Sequence, residues 1–157
     1  AVYTDERGTV ELRWDREAIH WLQQNVTGSP VIVEGLTPLY HWGSRVSVYT
    51  GLPTVVGWDF HEIHRKCGQN PCLAVRSRLQ DVNTIYSTKN PYEALRLLHK
   101  YGVTYLYLGE TEQHYYPPEG LAKFAAMVQS GHLQIAYRNQ AVSIFHVARQ
   151  DGGNQRK

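Results

Sequence analysis

The sequence predicts an α/β fold, with a mostly parallel sheet flanked by helices and an antiparallel hairpin at the end. Short β-branched runs alternate with amphipathic helical segments, which is typical of strand–helix–strand units. The last two β runs are separated only by residues 138–140, which favours a hairpin. The 157 residues suffice for one core. We expect an N-terminal extension over 1–13, a single domain over 14–148 and a flexible tail over 149–157.

The first half of this domain contains one predicted helix and one buried strand. Asp15 is expected to cap the helix, whose apolar residues Ala18, Ile19 and Leu22 share a face. The β-branched run Val31–Val33 predicts the strand. The segment 40–58 is irregular, and its two expected short extended pieces are Val46–Tyr49 and Thr54–Val56.

The second half predicts the remaining helices and strands. One helical stripe includes Val82 and Tyr86, and Asn90 is placed to cap the helix that ends before Gly102. A further helix after the Pro117–Pro118 pair supplies inward-facing apolar residues. The predicted strands of this half are Val103–Leu108, Leu133–Tyr137 and Ala141–Val147.

Composition and charge exclude several classes of protein. Sixteen Lys and Arg against fourteen Asp and Glu give a net charge of +2, which does not suggest a nucleic-acid-binding protein. No run of apolar residues approaches the length of a membrane span. Because the chain lacks an initiator Met and a signal peptide, we interpret it as an excised piece of a longer protein.

The chemically richest segment extends from Tyr40 to Arg65. Aromatic faces can stack on sugars while neighbouring charged groups orient a ligand, although large aromatic side chains such as those of Trp42 and Trp58 also commonly fill a core. The ligand-binding candidates are Trp42, Arg45, Tyr49, Trp58, His61, Glu62 and Arg65.

Within this segment, His61 and His64 are three residues apart and would share a face of a helix. Asp59 or Glu62 would then add an oxygen ligand, so a metal-dependent enzyme is one hypothesis. The spacing differs from that of the metalloprotease helix. The alternative is a polar loop with solvated imidazoles.

Cys67 and Cys72 are the two cysteines of the chain. In an oxidising compartment they would close a short disulfide loop, and in the cytosol they would be free thiols. No Cys-x-x-Cys motif is present.

Read in order, several motifs resemble the extramembrane segment of the YYY family (Chlor_Arch_YYY) of multi-pass membrane proteins. The resemblance covers roughly residues 14–148. The matching positions are Tyr40–Trp42, Arg45–Trp58, His61, Glu62, Arg65, Arg78, Asp81, Val82, Ile85, Tyr86, Tyr101–Val103, Gly109 and Val142–Val147.

This resemblance implies a soluble C-terminal domain on the external face of a membrane, without cofactor or catalytic residues of its own. The family is similar in layout to GT-C-type glycosyltransferases, whose acidic catalytic residues, and any divalent metal, belong to the membrane part. Tyr40–Gly43 occupies a place comparable to the Trp-Trp-Asp-Tyr-Gly motif of oligosaccharyltransferases but lacks its Asp.

Two functions follow as expectations. The first is an accessory domain that binds an acceptor, a glycan or a polyprenyl-phosphate sugar for a glycosyltransferase. The second is a structural or protein-interaction module that packs on the transmembrane region of its own chain.

Overall fold

The computed structural model describes residues 2–5, 8–36, 44–56 and 69–150. These residues form six strands and seven helices. The strands are β1 (Val2–Asp5), β2 (Gly8–Glu11), β3 (Val31–Val33), β4 (Val103–Leu108), β5 (Leu133–Arg138) and β6 (Ser143–Val147). The helices are α1 (Leu12–Asn25), α2 (Arg45–Thr50), α3 (Gln69–Ser87), α4 (Pro91–Lys100), α5 (Glu110–Tyr115), α6 (Pro118–Leu121) and α7 (Lys123–Gln129).

Four strands form a mixed sheet in the order β3-β4-β6-β5. Strands β3 and β4 are parallel, whereas β6 is antiparallel to both of its neighbours. The predicted α/β class and the closing hairpin β5–β6 are therefore confirmed. The expectation of a mostly parallel sheet is wrong, because β6 inserts between β4 and β5 and leaves a single parallel pair.

Helices cover both faces of this sheet. Successive strand residues point to opposite faces, and the core accordingly divides into two clusters. Val33 and Leu106 belong to the cluster that contains α3, α4 and α7. Ile32 and Tyr107 belong to the cluster that contains α1 and α2. The sheet is thus the middle layer of three.

The N-terminal strands β1 and β2 form a separate antiparallel pair that leads directly into α1. Because α1 begins at Leu12, the expectation that Asp15 caps it is wrong. Asp15 lies one turn inside the helix and is buried. Its burial indicates a role in the interior, described below.

Several predictions from helical patterning are confirmed. Val82 and Tyr86 are buried on α3, and the Asn90 side chain accepts a hydrogen bond from Tyr92 N at the start of α4. The segment from Val46 to Tyr49, expected to be extended, is instead part of helix α2. Glu34 accepts the first backbone N–H groups of this helix, so a tertiary contact outweighs the β-branched preference.

Among the residues that the structure describes, none of the helices combines the length and apolar character needed to cross a bilayer.

Candidate functional site

The candidate site lies where the two parallel strands end. Strand β3 is followed by Glu34 and Gly35, and strand β4 is followed by Gly109 and helix α5. Parallel strands that pair end at the same edge of a sheet, where α/β proteins commonly bind ligands. A cluster of buried charged side chains, centred on Arg45 of α2, fills this edge.

Arg45 is fully buried and is surrounded by three carboxylates. Its Nη2 lies 2.9 Å from Oε2 of Glu112 and its Nη1 lies 3.2 Å from Oε1, which makes a bidentate pair. Its Nε lies 3.1 Å from Oδ1 of Asp15, and Nη1 lies 3.9 Å from Oε1 of Glu34. We refer to Arg45, Asp15, Glu34 and Glu112 as the Arg45 cluster.

Tyr107 of β4 completes the surroundings of the guanidinium. The centre of its ring lies 4.9 Å from Cζ of Arg45, and its hydroxyl donates a short hydrogen bond to Asp15. The phenol therefore stabilises both members of the Arg45–Asp15 pair. Burial raises the pKa of Tyr107 well above its ordinary value, so its hydroxyl stays protonated.

Glu112 connects the ends of the two parallel strands. Its Oε1 accepts a hydrogen bond of 2.9 Å from Gly35 N, and its Oε2 accepts one of 2.8 Å from Gly109 N. Burial alone would raise the pKa of this carboxyl. The Arg45 guanidinium and the two backbone donors outweigh that effect and lower the pKa below its ordinary value, so Glu112 is ionised.

The two glycines leave the space that the cluster occupies. A Cβ on Gly35 would lie 2.8 Å from Cγ of Glu112, and a Cβ on Gly109 would lie 3.0 Å from Nη2 of Arg45 and 3.0 Å from Oδ1 of Asp15. A side chain at position 35 would force Glu112 to move, and one at position 109 would require Arg45 and Asp15 to shift by a few tenths of an ångström. Glycine at both strand ends therefore leaves room for the ion network.

Glu34 holds the start of α2. Its carboxylate accepts hydrogen bonds of 3.2 Å from Val46 N and 2.8 Å from Ser47 N. Burial raises the pKa of Glu34 to about 7, although Arg45 and the backbone donors oppose the rise. A single guanidinium cannot neutralise three carboxylates, so Glu34 is the member of the cluster that takes up a proton near neutral pH.

Two stacked tyrosines support the same edge from the other face. The rings of Tyr86 and Tyr116 lie 4.8 Å apart. The Tyr86 hydroxyl donates to the carbonyl oxygen of Tyr107 at 2.6 Å and lies 3.1 Å from that of Val33. The Tyr116 hydroxyl accepts a hydrogen bond from Leu36 N. The backbone beyond β3 is thus fixed as far as Leu36.

Both flanks of the segment 37–43 are consequently anchored to one network. Residues 34–36 are held through Glu112 and Tyr116, and residues 45–47 are held through Glu34 and the carboxylates around Arg45. The network has a structural role, because each of these polar groups faces a partner inside the protein. It fixes the backbone of residues 34–36 and of residues 45–47.

The predicted ligand-binding residues differ in where the structure places them. Arg45 lies in the interior with its guanidinium surrounded by carboxylates, whereas Tyr49 is half exposed near the end of α2. The structure does not bring these two side chains to a common surface. The remaining candidates, Trp42, Trp58, His61, Glu62 and Arg65, lie outside the described residues.

The metal and disulfide hypotheses also fall outside the described part of the chain. The proposed ligands Asp59, His61 and His64 are not described, and neither are Cys67 and the side chain of Cys72. Within residues 2–5, 8–36, 44–56 and 69–150, no group of three His, Cys, Asp or Glu side chains is arranged to hold a metal ion. Both hypotheses stay predictions.

Sequence reasoning missed Asp15, Glu34 and Glu112 as partners of Arg45. A usable signal was present: a glutamate and a glycine directly follow one buried strand, and a glycine directly follows the other. Such residues at the ends of parallel strands indicate polar chemistry at that edge. Because Asp15 was expected to cap a helix, its pairing with Arg45 was not predicted.

The layered arrangement defines the class of this protein as an α/β fold with a mixed four-stranded sheet. In particular, its fold is similar to the crystal structure of the C-terminal globular domain of oligosaccharyltransferase from Archaeoglobus fulgidus. That likeness has a TM-score of 0.52 at 15% identity and covers 85% of this chain and 95% of the other.

No family model matches the chain, and no curated protein is significantly similar to it. The resemblance to the YYY family therefore stays a prediction, while the likeness to a domain of a glycosyltransferase rests on fold.

Proposed function

We propose that this chain is a non-catalytic accessory domain of a multi-pass membrane glycosyltransferase and that it binds a glycan, an acceptor or a polyprenyl-phosphate sugar. The fold supports this proposal, because the similar solved structure is a domain of an oligosaccharyltransferase. The same likeness motivates an external location at the membrane. Fold alone does not assign an activity, so the proposal depends on a second observation.

That observation is the anchoring of both flanks of segment 37–43 by the Arg45 cluster. A buried ion network is costly, because desolvation of its charges offsets much of their attraction. Here the network fixes the chain on either side of a segment that carries Trp42. Rigid anchoring of the chain on both sides of a segment helps to position binding residues within that segment.

In the proposed site, Trp42, Trp58 and Tyr49 stack on sugar rings, because flat apolar faces match the C–H faces of a pyranose. His61 and Arg65 contact hydroxyl or phosphate oxygens. Glu62 orients these basic groups.

Amide chemical-shift titration of this chain with glycans and polyprenyl-phosphate sugars tests the proposal. We expect saturable shifts that disappear in Trp42→Ala and Trp58→Ala but persist in Tyr92→Ala, a control that removes an exposed aromatic ring from α4. Unchanged spectra across both ligand classes would remove the binding role.

A second function is favoured by exposed apolar side chains. Val48 of α2 and Leu73 of α3 are each more than half exposed, which suits a module that packs on the transmembrane region of its own chain. Photo-crosslinkers placed at positions 48 and 73 of the membrane-bound parent would then react with membrane helices. Crosslinks to lipid or solvent alone would contradict this packing.

A further inference from the structure

A groove along α1 is lined by residues that, apart from Tyr49, have no part in the proposed sugar site. It has a volume of about 560 Å³, within the size range of small-molecule sites. Most of the surface exposed in the groove is apolar. The residues that line it are Leu12, Arg13, Arg16, Glu17, Ile19, His20, Gln23 and Tyr49.

Six of the eight side chains that line the groove carry a polar group, but several of these groups are already engaged. Arg13 pairs with Glu17 at 3.4 Å and lies over the ring of Trp14. The Gln23 amide donates to the carbonyl oxygen of Tyr49 at 2.7 Å. A sugar needs many hydrogen-bonding partners at once, so this lining is poorly suited to one.

Arg16 is the cation that remains for a ligand. In the described part of the chain, no carboxylate lies within ion-pairing distance of its guanidinium. Arg16 and His20 lie four residues apart, on the same exposed face of α1. The groove therefore offers a guanidinium with an imidazole one helical turn away.

We propose that this groove binds a single-chain anionic lipid, with the alkyl chain along Leu12 and Ile19 and the anionic head group on Arg16. Apolar burial supplies the affinity and the guanidinium selects the charge of the head group. The groove shares Tyr49 with the proposed sugar site, but lipid binding depends on Arg16, whereas sugar binding depends on Trp42 and Trp58.

Dodecyl phosphate, used below its micelle concentration, is a suitable probe. We expect saturable amide shifts in α1 and at least tenfold weaker binding of the zwitterionic dodecylphosphocholine. Arg16→Gln should weaken binding of dodecyl phosphate about tenfold, and His20→Trp should block the groove. The matched control Arg138→Gln, on strand β5, should leave the affinity unchanged.

Three outcomes would overturn the proposal. The first is equal affinity for the anionic and zwitterionic probes, which means that Arg16 selects nothing. The second is equal loss in Arg16→Gln and Arg138→Gln, which indicates diffuse electrostatics. The third is a dimer in solution that His20→Trp dissociates, which assigns the groove to a second copy of the chain. Trp42→Ala and Trp58→Ala should keep full lipid binding. Failure of the lipid proposal can therefore be distinguished from failure of the sugar-binding proposal.

Discussion

Arg45 and Glu112 face each other in the interior, with Nη2 and Oε2 2.9 Å apart and both side chains inaccessible to solvent. The two residues belong to helices α2 and α5 and lie 67 positions apart in the sequence. The pair joins the layer that contains α2 to the end of strand β4. Its removal should therefore affect the whole domain as well as the local contact.

Arg45→Met should lower the free energy of unfolding by about 3–5 kcal/mol, because it leaves buried carboxylates without their counter-charge. Urea denaturation monitored by tryptophan fluorescence measures this. Arg13→Gln is the matched control, since it breaks an exposed pair with Glu17 and should cost less than about 1 kcal/mol. Similar losses in the two variants would contradict the importance of the buried network.

Glu34 should give stability an unusual dependence on pH. Its pKa in the folded protein is about 7, above the ordinary 4.5, so the folded state binds the proton more tightly than the unfolded state. The stabilisation from protonated Glu34 is complete below pH 4.5 and is lost as the pH rises through 7. The shift corresponds to about 3 kcal/mol.

Glu34→Gln is expected to abolish this contribution. The unfolding free energy of the original protein, minus that of Glu34→Gln, should fall by about 3 kcal/mol between pH 4.5 and 8. Glu112 and Asp81 have lowered pKa values, so they act in the opposite direction, at more acidic pH. Their contribution is present in both proteins and cancels in the difference between the two unfolding free energies. A difference that stays flat or increases with pH would show that Glu34 is ionised throughout.

Gly109→Ala should be destabilising for a steric reason. The φ angle at Gly109 is −115°, so the backbone tolerates alanine, but the new Cβ would crowd Arg45 and Asp15. We expect a loss of about 1–3 kcal/mol. Part of this loss should vanish when Arg45→Met is also present, because the crowded guanidinium is then gone while Asp15 stays in place.

Gly28→Ala provides the comparison for this double-mutant cycle. Gly28 has a φ of 77° and open space around its Cα, so its cost is backbone strain of about 1–2 kcal/mol. This cost should be the same with and without Arg45→Met. Equal coupling of both glycine variants to Arg45→Met would argue against direct crowding at Gly109.

Local patterns in the sequence were sufficient to predict the helices and the closing hairpin. Val82, Tyr86 and the cap at Asn90 follow from helical periodicity and capping chemistry, which depend on neighbouring residues. The position of β6 between β4 and β5 does not follow, because strand order depends on which hydrophobic faces meet after the chain collapses. The expectation of a mostly parallel sheet failed for this reason.

The site was harder to predict because its members are far apart in the chain. The aromatic neighbours of Arg45 led to the prediction that it binds a ligand, whereas its partners in the structure, Asp15 and Glu112, lie 30 and 67 residues away. A carboxylate near the start of a helix has the same sequence signature whether it caps the helix or pairs with a buried arginine. Only the tertiary structure distinguishes these roles.

Tyr86→Phe should test whether the tyrosine hydroxyl holds the ends of the parallel strands together. The phenol contacts the carbonyl oxygens of Val33 and Tyr107 in a site with no exposure to solvent. Without the hydroxyl, the buried carbonyl of Tyr107 loses this donor and that of Val33 loses a polar neighbour, so we expect a loss of about 1–3 kcal/mol in the free energy of unfolding. Phenylalanine keeps the stacking on Tyr116, so packing stays nearly constant.

Tyr92→Phe is the matched control, because its ring on α4 is largely exposed and its removal of a hydroxyl should change stability by less than about 0.5 kcal/mol. Amide hydrogen exchange adds a local readout. In Tyr86→Phe, the amides of Gly35 and Leu36 should exchange faster, because the backbone beyond β3 loses its support. Unchanged protection there, together with unchanged stability, would mean that Glu112 and Tyr116 hold this edge without Tyr86.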